Sequence, residues 1–338
     1  MRILVADRIS NEGLDIFDRA QAEVDIKLGL KPEELKSIIG SYDILIVRSQ
    51  TKVPAEVVRA GKELKVIARA GAGVDNIDVE EATRQGILVV NAPTSNTIAV
   101  AEHVFGLMLA LVRHIPQAND KLRSGVWAKS EFMGTELRGK TLGIVGLGKI
   151  GRAVAKRAQA FEMEVIAYSP SIPPKHAAQL GVKLVPLEEL LTESDFISLH
   201  TKMTPEKTGM IGEKELALLK SSAHIINCAR GALINEEALA KAIEGRKIAG
   251  AAIDVYCEEP AIDSVLLRCE NIITTPHIAA STIEAQTVAA TIVAEQIIDV
   301  LNGRPPKYPV NNPSVKRWAS LHQPVEDKTR GRFGVEAS

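Results

Sequence analysis

The stretch Leu142-Gly-Ile-Val-Gly146-Leu-Gly148-Lys-Ile-Gly151-Arg-Ala-Val-Ala155 reads as a buried strand, a G-x-G-x-x-G turn and the start of a helix. Gly146 permits a tight turn, Gly148 lets backbone approach a pyrophosphate, and Gly151 lets the helix pack on the strand. Free N–H groups at the helix start then face the phosphates. Such a turn also occurs without a ligand, but here the next apolar run, Glu164 to Tyr168, follows at the distance a βαβ unit requires. An acid after that second strand normally accepts from the adenosine ribose; this chain has Tyr168-Ser169-Pro170 instead. NAD is the expected cofactor, with Ser169 on its ribose. NADP is admitted, because no carboxylate repels a 2′-phosphate and Lys175 and His176 lie just downstream.

Working outward, short apolar runs alternate with helix-period segments, the pattern of parallel sheets covered by helices. A first set of strands is expected at 3–6, 24–27, 44–47, 66–70 and 88–90, and a second at 141–145, 164–168, 183–185, 196–199, 224–227, 249–253 and 272–274. Long helices are expected from Asn96 to His114 and from Ser281 to Asn302, the latter ended by Gly303 and Pro305-Pro306. The second helix is free to return the chain to the first domain, with Tyr308-Pro-Val-Asn at a sheet edge. The fold class is therefore α/β, with two Rossmann-like or flavodoxin-like domains and a cleft between them. The division expected is 1–97 plus 284–312 for substrate, 98–283 for NAD(P), and a polar tail over 313–338 too poor in apolar residues for a third domain and expected to be disordered.

Composition agrees with this reading. A chain of 338 residues suits about two domains. Hydrophobic residues make up 46% and aromatics only 4%, so the apolar content is the aliphatic mixture of parallel sheets. Forty-one basic against forty-two acidic residues leave a charge of −1, which excludes a strong basic field for nucleic acid or anionic lipid. Cys228, Cys257 and Cys269 suggest neither a disulfide framework nor a zinc site, and no metal is expected. The acid at Asp7 interrupts any signal-like core, and a cytoplasmic location is expected.

In open α/β sheets ligands sit beyond the carboxyl ends of the strands. There the chain places His200-Thr201, Asn227-Cys-Ala-Arg230-Gly, Asp254 and Thr275-Pro-His277. Oxidising an alcohol with a nicotinamide cofactor needs a base for the hydroxyl proton and a cation for the substrate carboxylate. His277 suits the base, and the planar fork of Arg230 suits the clamp. Glu258 or Glu259 can stand beside the imidazole, and Asp254 can bind the nicotinamide ribose or amide.

These phrases, with Asp254-Val-Tyr-Cys-Glu-Glu259-Pro260 and Thr275-Pro-His277-Ile-Ala-Ala-Ser281 following the glycine loop in order, resemble the D-isomer-specific 2-hydroxyacid dehydrogenases over roughly residues 1 to 312. The resemblance implies Arg230 as substrate clamp and cofactor contact, Glu259 as the partner of the histidine, and His277 as general acid/base. It also implies backbone groups of Lys149 and Ile150 on the pyrophosphate, with Ser169, Thr201, Cys228, Ala229 and Asp254 on the rest of the dinucleotide. A homodimer or dimer-based tetramer is implied too. Arg48-Ser49, Arg69-Ala-Gly71-Ala72-Gly73-Val-Asp-Asn76, Asn96-Thr97, Ala101-Glu-His103 and Phe132-Met-Gly134 narrow the resemblance to members that oxidise D-3-phosphoglycerate. Arg48, Ser49, Gly71, Ala72, Gly73 and Asn96 then line the substrate side.

Three departures qualify this. Ser169 replaces the usual Asp; Trp127-Ala-Lys129-Ser-Glu131-Phe132 is less basic than the family often is; and no C-terminal regulatory domain follows, so serine feedback of that type is not expected. Two rival readings remain. One is an NADPH-dependent glyoxylate or hydroxypyruvate reductase, and the other a non-catalytic dinucleotide sensor that binds protein partners, as the family's corepressors do. Cys228 is read as a small buried apolar residue rather than a redox switch.

Overall fold

The computed structural model describes residues 1–315 and 317–321. It contains two compact units, one formed by Met1–Ser95 with the chain from Ile283 onward, the other by Asn96–Thr282. In the first unit lie β1 (Arg2–Val5), α1 (Asn11–Arg19), β2 (Glu23–Ile26), α2 (Pro32–Ile38), β3 (Ile44–Val47), α3 (Ala55–Ala60), β4 (Val66–Arg69), α4 (Val79–Arg84) and β5 (Leu88–Asn91). In the second lie α5 (Thr97–Val112), α6 (Ile115–Arg123), β6 (Thr141–Val145), α7 (Lys149–Ala160), β7 (Glu164–Tyr168), α8 (Pro174–Gln179), β8 (Lys183–Leu184) and α9 (Leu187–Glu193). That unit continues through β9 (Phe196–Leu199), α10 (Glu213–Leu216), β10 (His224–Asn227), α11 (Glu236–Glu244), β11 (Gly250–Ile253) and β12 (Ile272–Thr274), and α12 (Ile283–Leu301) then joins the first unit.

The first sheet has the order β2-β1-β3-β4-β5 and the second β12-β11-β10-β9-β6-β7-β8. Every pairing is parallel, so all strands of a sheet deliver their following loops to one edge. The strand order reverses between β1 and β3 in one sheet and between β6 and β9 in the other. These are the switch points where adjacent loops diverge and leave a crevice.

Both faces of each sheet are covered, which is why β3, β9 and β11 are buried along their whole length. In the first unit one face packs Phe17 of α1 and Ala290, Val293 and Ile297 of α12; the other packs Leu35, Val57, Val58 and Ala82. In the second unit Val104 and Met108 of α5 join Val154 and Ala158 of α7, while Leu190, Leu216, Leu239 and Ile243 cover the opposite face. Alanine on α12 lets α1 approach: a Cβ at Gly13 would lie 2.7 Å from that of Ala290. No single described helix is long and apolar enough to cross a membrane.

The returning chain docks where the sequence suggested. Asn91 N donates to Tyr308 O (3.3 Å) and Val310 N to Val89 O (2.8 Å), forming an antiparallel bridge at the β5 edge. The buried Gln296 side chain donates to Asn91 O (2.9 Å) and accepts from Tyr308 N (2.7 Å), fixing both neighbours. The stretch expected to open a polar tail at 313 holds on further: Pro313 is buried, Trp318 packs on the α12 side of the core, and Arg317 N donates to Gly86 O (3.2 Å). Pro313, Trp318 and the Arg317 bonds together hold this stretch; the rest of the expected tail, 322–338, lies outside the described residues.

Two histidines of the second unit are held neutral by burial, His200 with a pKa lowered to about 3 and His224 to about 4, the latter helped by the nearby charge of His114. The unfolded chain regains an ordinary imidazole at 6.5 and binds protons first as the pH falls. The contribution of these two histidines to stability should therefore be flat above about pH 7 and decline from about pH 6.5 towards 4, with His224 alone contributing a loss of about 2 kcal/mol by pH 5. His224 stacks on Phe196 at 5.4 Å, so His224→Phe preserves the contact and should shrink that decline in urea melts at pH 7 and pH 5. Equal declines in both proteins would refute the assignment.

Candidate active site

The glycine loop lies at the switch point of the seven-stranded sheet. Gly146, at φ +101°, runs under the His200–Thr201 peptide so closely that a Cβ would sit 2.7 Å from Thr201 N. Gly151 faces the Gly146 carbonyl oxygen, with which any side chain would collide. Gly148 has nothing within 4 Å on its Cβ side, so the loop presents bare backbone there. Behind it Lys149 and Ile150 open the 12-residue helix α7, whose first N–H groups point out of the turn. Ser169 Oγ accepts from Leu147 N (3.1 Å), tying the end of β7 to the loop. A cradle open at one glycine and closed at two others, over a helix start, fits a pyrophosphate. Thr201 is engaged by Lys207 Nζ (2.6 Å).

Three further loops reach the same edge from β10, β11 and β12. After β10, the buried Asn227 wraps the turn that carries Arg230: its Oδ1 accepts from Ala229 N (3.0 Å) and its Nδ2 donates to Arg230 O (2.9 Å). Gly231 then passes against the Tyr256–Cys257 peptide, where a Cβ would collide with backbone, so the Arg230 and Glu259 loops touch main chain to main chain. After β12, His277 adopts φ +53°, a left-handed conformation uncommon for a residue with a side chain. Its Nδ1 lies 2.8 Å from Glu259 Oε2, while Glu259 Oε1 accepts from Tyr256 N (3.1 Å). Glu259, not Glu258, thus meets the imidazole, and Nε2 is left facing outward. The pair is accessible, with side chains 48% and 39% exposed.

Asp254, read in the sequence as a ligand of the nicotinamide end, has a wholly buried side chain at this same edge. Oδ1 accepts from Thr275 Oγ1 (2.6 Å) and Ile278 N (2.8 Å), and Oδ2 from Ala279 N (2.9 Å). Burial pushes its carboxyl up, but hydrogen bonds from His103, Thr275, Ile278 and Ala279 outweigh this and hold it below the usual range. In this structure Asp254 organises the loop that bears His277. Cys228 is buried beside it, and burial followed by the Asp254 charge pushes its thiol well above the usual range. A protonated thiol of this kind behaves as a small apolar residue.

The substrate-side residues Arg48, Ser49, Gly71, Ala72 and Gly73 gather separately, at the carboxyl edge of the first unit's own sheet. Arg48 sits at the β1/β3 switch point. Asp7 accepts from its N–H (2.5 Å), from Thr51 N and from Thr51 Oγ1, while Asn76 Nδ2 donates to Arg48 O (2.8 Å) and Thr51 O (2.7 Å). At the neighbouring β4 end, Gly71 leaves room for the Arg69 guanidinium, and Asn91 Nδ2 holds Ala72 O (2.6 Å). Two arginines therefore share this edge. Asn96 belongs to the second unit, just before α5, and its Oδ1 is buried without a hydrogen-bond partner among the described residues. Sequence reading missed the parts played by Asn227, Tyr256 and His103. Asn227 had a signal, since Asn two residues before a turn amide is a side-chain turn mimic; Tyr256 holds Glu259 through a backbone amide, which no residue type announces, and His103 acts through a contact 172 residues away.

With this geometry in place, the comparisons are direct. Residues 105–279 match the model of the D-isomer specific 2-hydroxyacid dehydrogenase, NAD binding domain. The chain belongs to this family. It is 49% identical over 317 residues to the D-3-phosphoglycerate dehydrogenase of Archaeoglobus fulgidus, 94% of this chain and 60% of that protein. The human D-3-phosphoglycerate dehydrogenase is 42% identical, over 98% of this chain and 64% of its own length. The chain thus spans about three fifths of the length of such relatives. Among solved structures, a protein from Thermus thermophilus superposes with a TM-score of 0.85 at 36% identity, covering 92% of this chain and 100% of that one. A glyoxylate reductase from Paecilomyes thermophila gives 0.83 at 31% identity, with 92% and 98% coverage.

The dehydrogenase family's NAD-binding domain here depends on the two closed glycines. Gly151→Val should push α7 off the loop and weaken NADH binding by at least about tenfold, read by fluorescence titration, with circular dichroism unchanged. Tight NADH binding by a folded Gly151→Val protein would refute the cradle assignment.

Proposed function

We propose that this chain catalyses oxidation of D-3-phosphoglycerate to 3-phosphohydroxypyruvate, feeding serine synthesis. The observation that carries the chemistry is the His277–Glu259 contact of 2.8 Å at the rim reached by Arg230. Nicotinamide dinucleotide, bound at Gly146, Gly148, Lys149, Ile150 and Gly151 with Ser169, Thr201, Cys228, Ala229, Arg230 and Asp254, would supply the hydride acceptor. His277 Nε2, the nitrogen turned away from Glu259, takes the hydroxyl proton. The imidazolium so formed is stabilised by the Glu259 carboxylate on Nδ1. Arg230 holds the substrate carboxylate with its planar fork and polarises the forming carbonyl.

Arg48, Ser49, Gly71, Ala72, Gly73 and Asn96 hold the remainder of the substrate, and the two arginines at the first unit's sheet edge, Arg48 and Arg69, suit its phosphate. Glu131 is compatible with this, because Lys121 sits 3.3 Å from it and offsets its charge. The relatives called D-3-phosphoglycerate dehydrogenases, at 42% to 50% identity, support this substrate. Exposed Ile115, Leu122, Val126, Trp127 and Met133 on α6 and the segment after it support a homodimer, or a tetramer built from it. The proposed location is the cytoplasm.

A second reading rests on Ser169: with a hydroxyl where an acid would exclude a 2′-phosphate, and Lys175 and His176 exposed nearby on α8, an NADPH-dependent glyoxylate or hydroxypyruvate reductase is supported too. Steady-state rates with 3-phosphoglycerate, D-glycerate, D-lactate, hydroxypyruvate and glyoxylate, each with both cofactor couples, separate the two. The expected outcome is the highest kcat/KM for 3-phosphoglycerate with NAD. Highest values for unphosphorylated keto acids with NADPH would replace it with the reductase, and negligible turnover with tight NADH binding would point to a sensor. In the same assay His277→Ala should lose at least about a thousandfold in kcat while binding NADH normally, and Arg230→Lys should raise KM more than about tenfold.

A further inference from the structure

We infer that Thr275 and His103 are positioning residues that hold His277 in its working conformation; the inference rests on the proposed role of His277. The left-handed backbone of His277 is unfavourable for a residue with a Cβ and persists only if its neighbours over-determine it. They do so on both sides. Pro276 before it has a fixed φ and no N–H; after it, Ile278 N and Ala279 N both donate to Asp254. Thr275 closes the ring, since its hydroxyl donates to the same Asp254 Oδ1 at 2.6 Å. A hydroxyl has one proton to give. With that proton on Asp254, Thr275 Oγ1 can only accept from His103 Nε2, 3.3 Å away on α5. His103 must therefore carry hydrogen on Nε2, which also directs it at Asp254 Oδ1, 3.6 Å distant.

His103, Cys228 and Asp254 also bring potential ligand atoms within 4.8 Å of one another, a spacing that invites a soft cation. Asp254, however, already accepts three short hydrogen bonds, and a metal would have to break them. The cluster is accounted for as a relay: α5 through His103 to Thr275, Thr275 to Asp254, and Asp254 to the backbone on the far side of His277. Tyr256 Oη adds a bond to the Thr275 carbonyl oxygen (3.1 Å), while its own N–H holds Glu259. Loosening Thr275 or His103 should thus cost turnover rather than substrate or cofactor affinity, because neither is assigned a contact with either.

The test compares Thr275→Val, Thr275→Ser, His103→Gln and His277→Ala in the full chain for kcat, KM, NADH dissociation constant and melting temperature. Thr275→Val, isosteric but unable to donate, and His103→Gln should each lower kcat at least about tenfold with KM and NADH affinity within about twofold of the parent. Thr275→Ser should keep at least about half of kcat, since it restores the hydroxyl. Parent-like kcat in Thr275→Val, or a Thr275→Ser protein as slow as Thr275→Val, overturns the inference. Should Thr275→Val fail to fold, His103→Gln decides by the same criteria. An active His277→Ala protein would sink the reading of His277 itself, whereas an inactive one beside a parent-like Thr275→Val sinks only the positioning role.

Discussion

Parallel pairing is the constraint from which the rest of this molecule follows. Strands that all run one way cannot be joined by tight hairpins, so each must be followed by a crossover, and the crossovers cover both sheet faces with helices. Polar functional groups are thereby driven to the one place the layers leave open, the loops at the carboxyl edge. In the seven-stranded sheet that edge collects the glycine loop after β6, Ser169 after β7, Thr201 after β9, Arg230 after β10, Asp254 after β11 and His277 after β12. Residues as far apart in the chain as Gly146 and His277 are brought to one rim by sheet geometry, without any long-range element dedicated to the task.

Close backbone approach is what turns that rim into a site. Gly146 under His200–Thr201, Gly151 against Gly146, and Gly231 against Tyr256–Cys257 each mark a contact that a single methyl group would prevent. The first two shape the glycine loop at the switch point, and the third brings the loop carrying Arg230 onto the loop carrying Glu259. Arg230 and the His277–Glu259 pair are then spaced by main-chain contact, which is stiffer than a spacing set by side-chain rotamers.

The strand pattern and the glycine loop were legible because parallel strands buried on both faces are written as continuous aliphatic runs, and the expected runs coincide with the observed strands to within a residue or so at each end. The returning segment at Tyr308–Asn311 was legible from the helix stop at Gly303 and the prolines after it. The partner of His277 was less so, since Glu258 and Glu259 are equal as residues; the family resemblance pointed to Glu259, and the fold supplies the physical reason, with Tyr256 N–H anchoring Glu259 Oε1. The structural part of Asp254 was not legible for a related reason: two of the donors its carboxylate accepts from are backbone amides 24 and 25 residues away, which no local pattern announces. Trp318 was passed over because a single aromatic in a polar stretch carries no periodicity, although one such side chain can dock a segment.

Helix α5 shows how an apolar element can serve the site without lining it. Its buried face of Val104, Leu107, Met108 and Leu111 is ordinary packing against the sheet and α7. The adjacent polar pair Glu102 and His103 then points two ways. Glu102 accepts from Arg157 on α7 (2.9 Å), the helix that opens behind the glycine loop, and His103 bonds Thr275 at the root of the His277 loop. Because the surrounding aliphatic layer fixes the helix, neither contact has to supply its own rigidity; each transfers the stiffness of the core to a loop that has little of its own. Glu102 reaches solvent, its side chain 63% exposed, so only the mostly buried His103 carries a burial cost, and its bond to Thr275 at the root of the His277 loop offsets it.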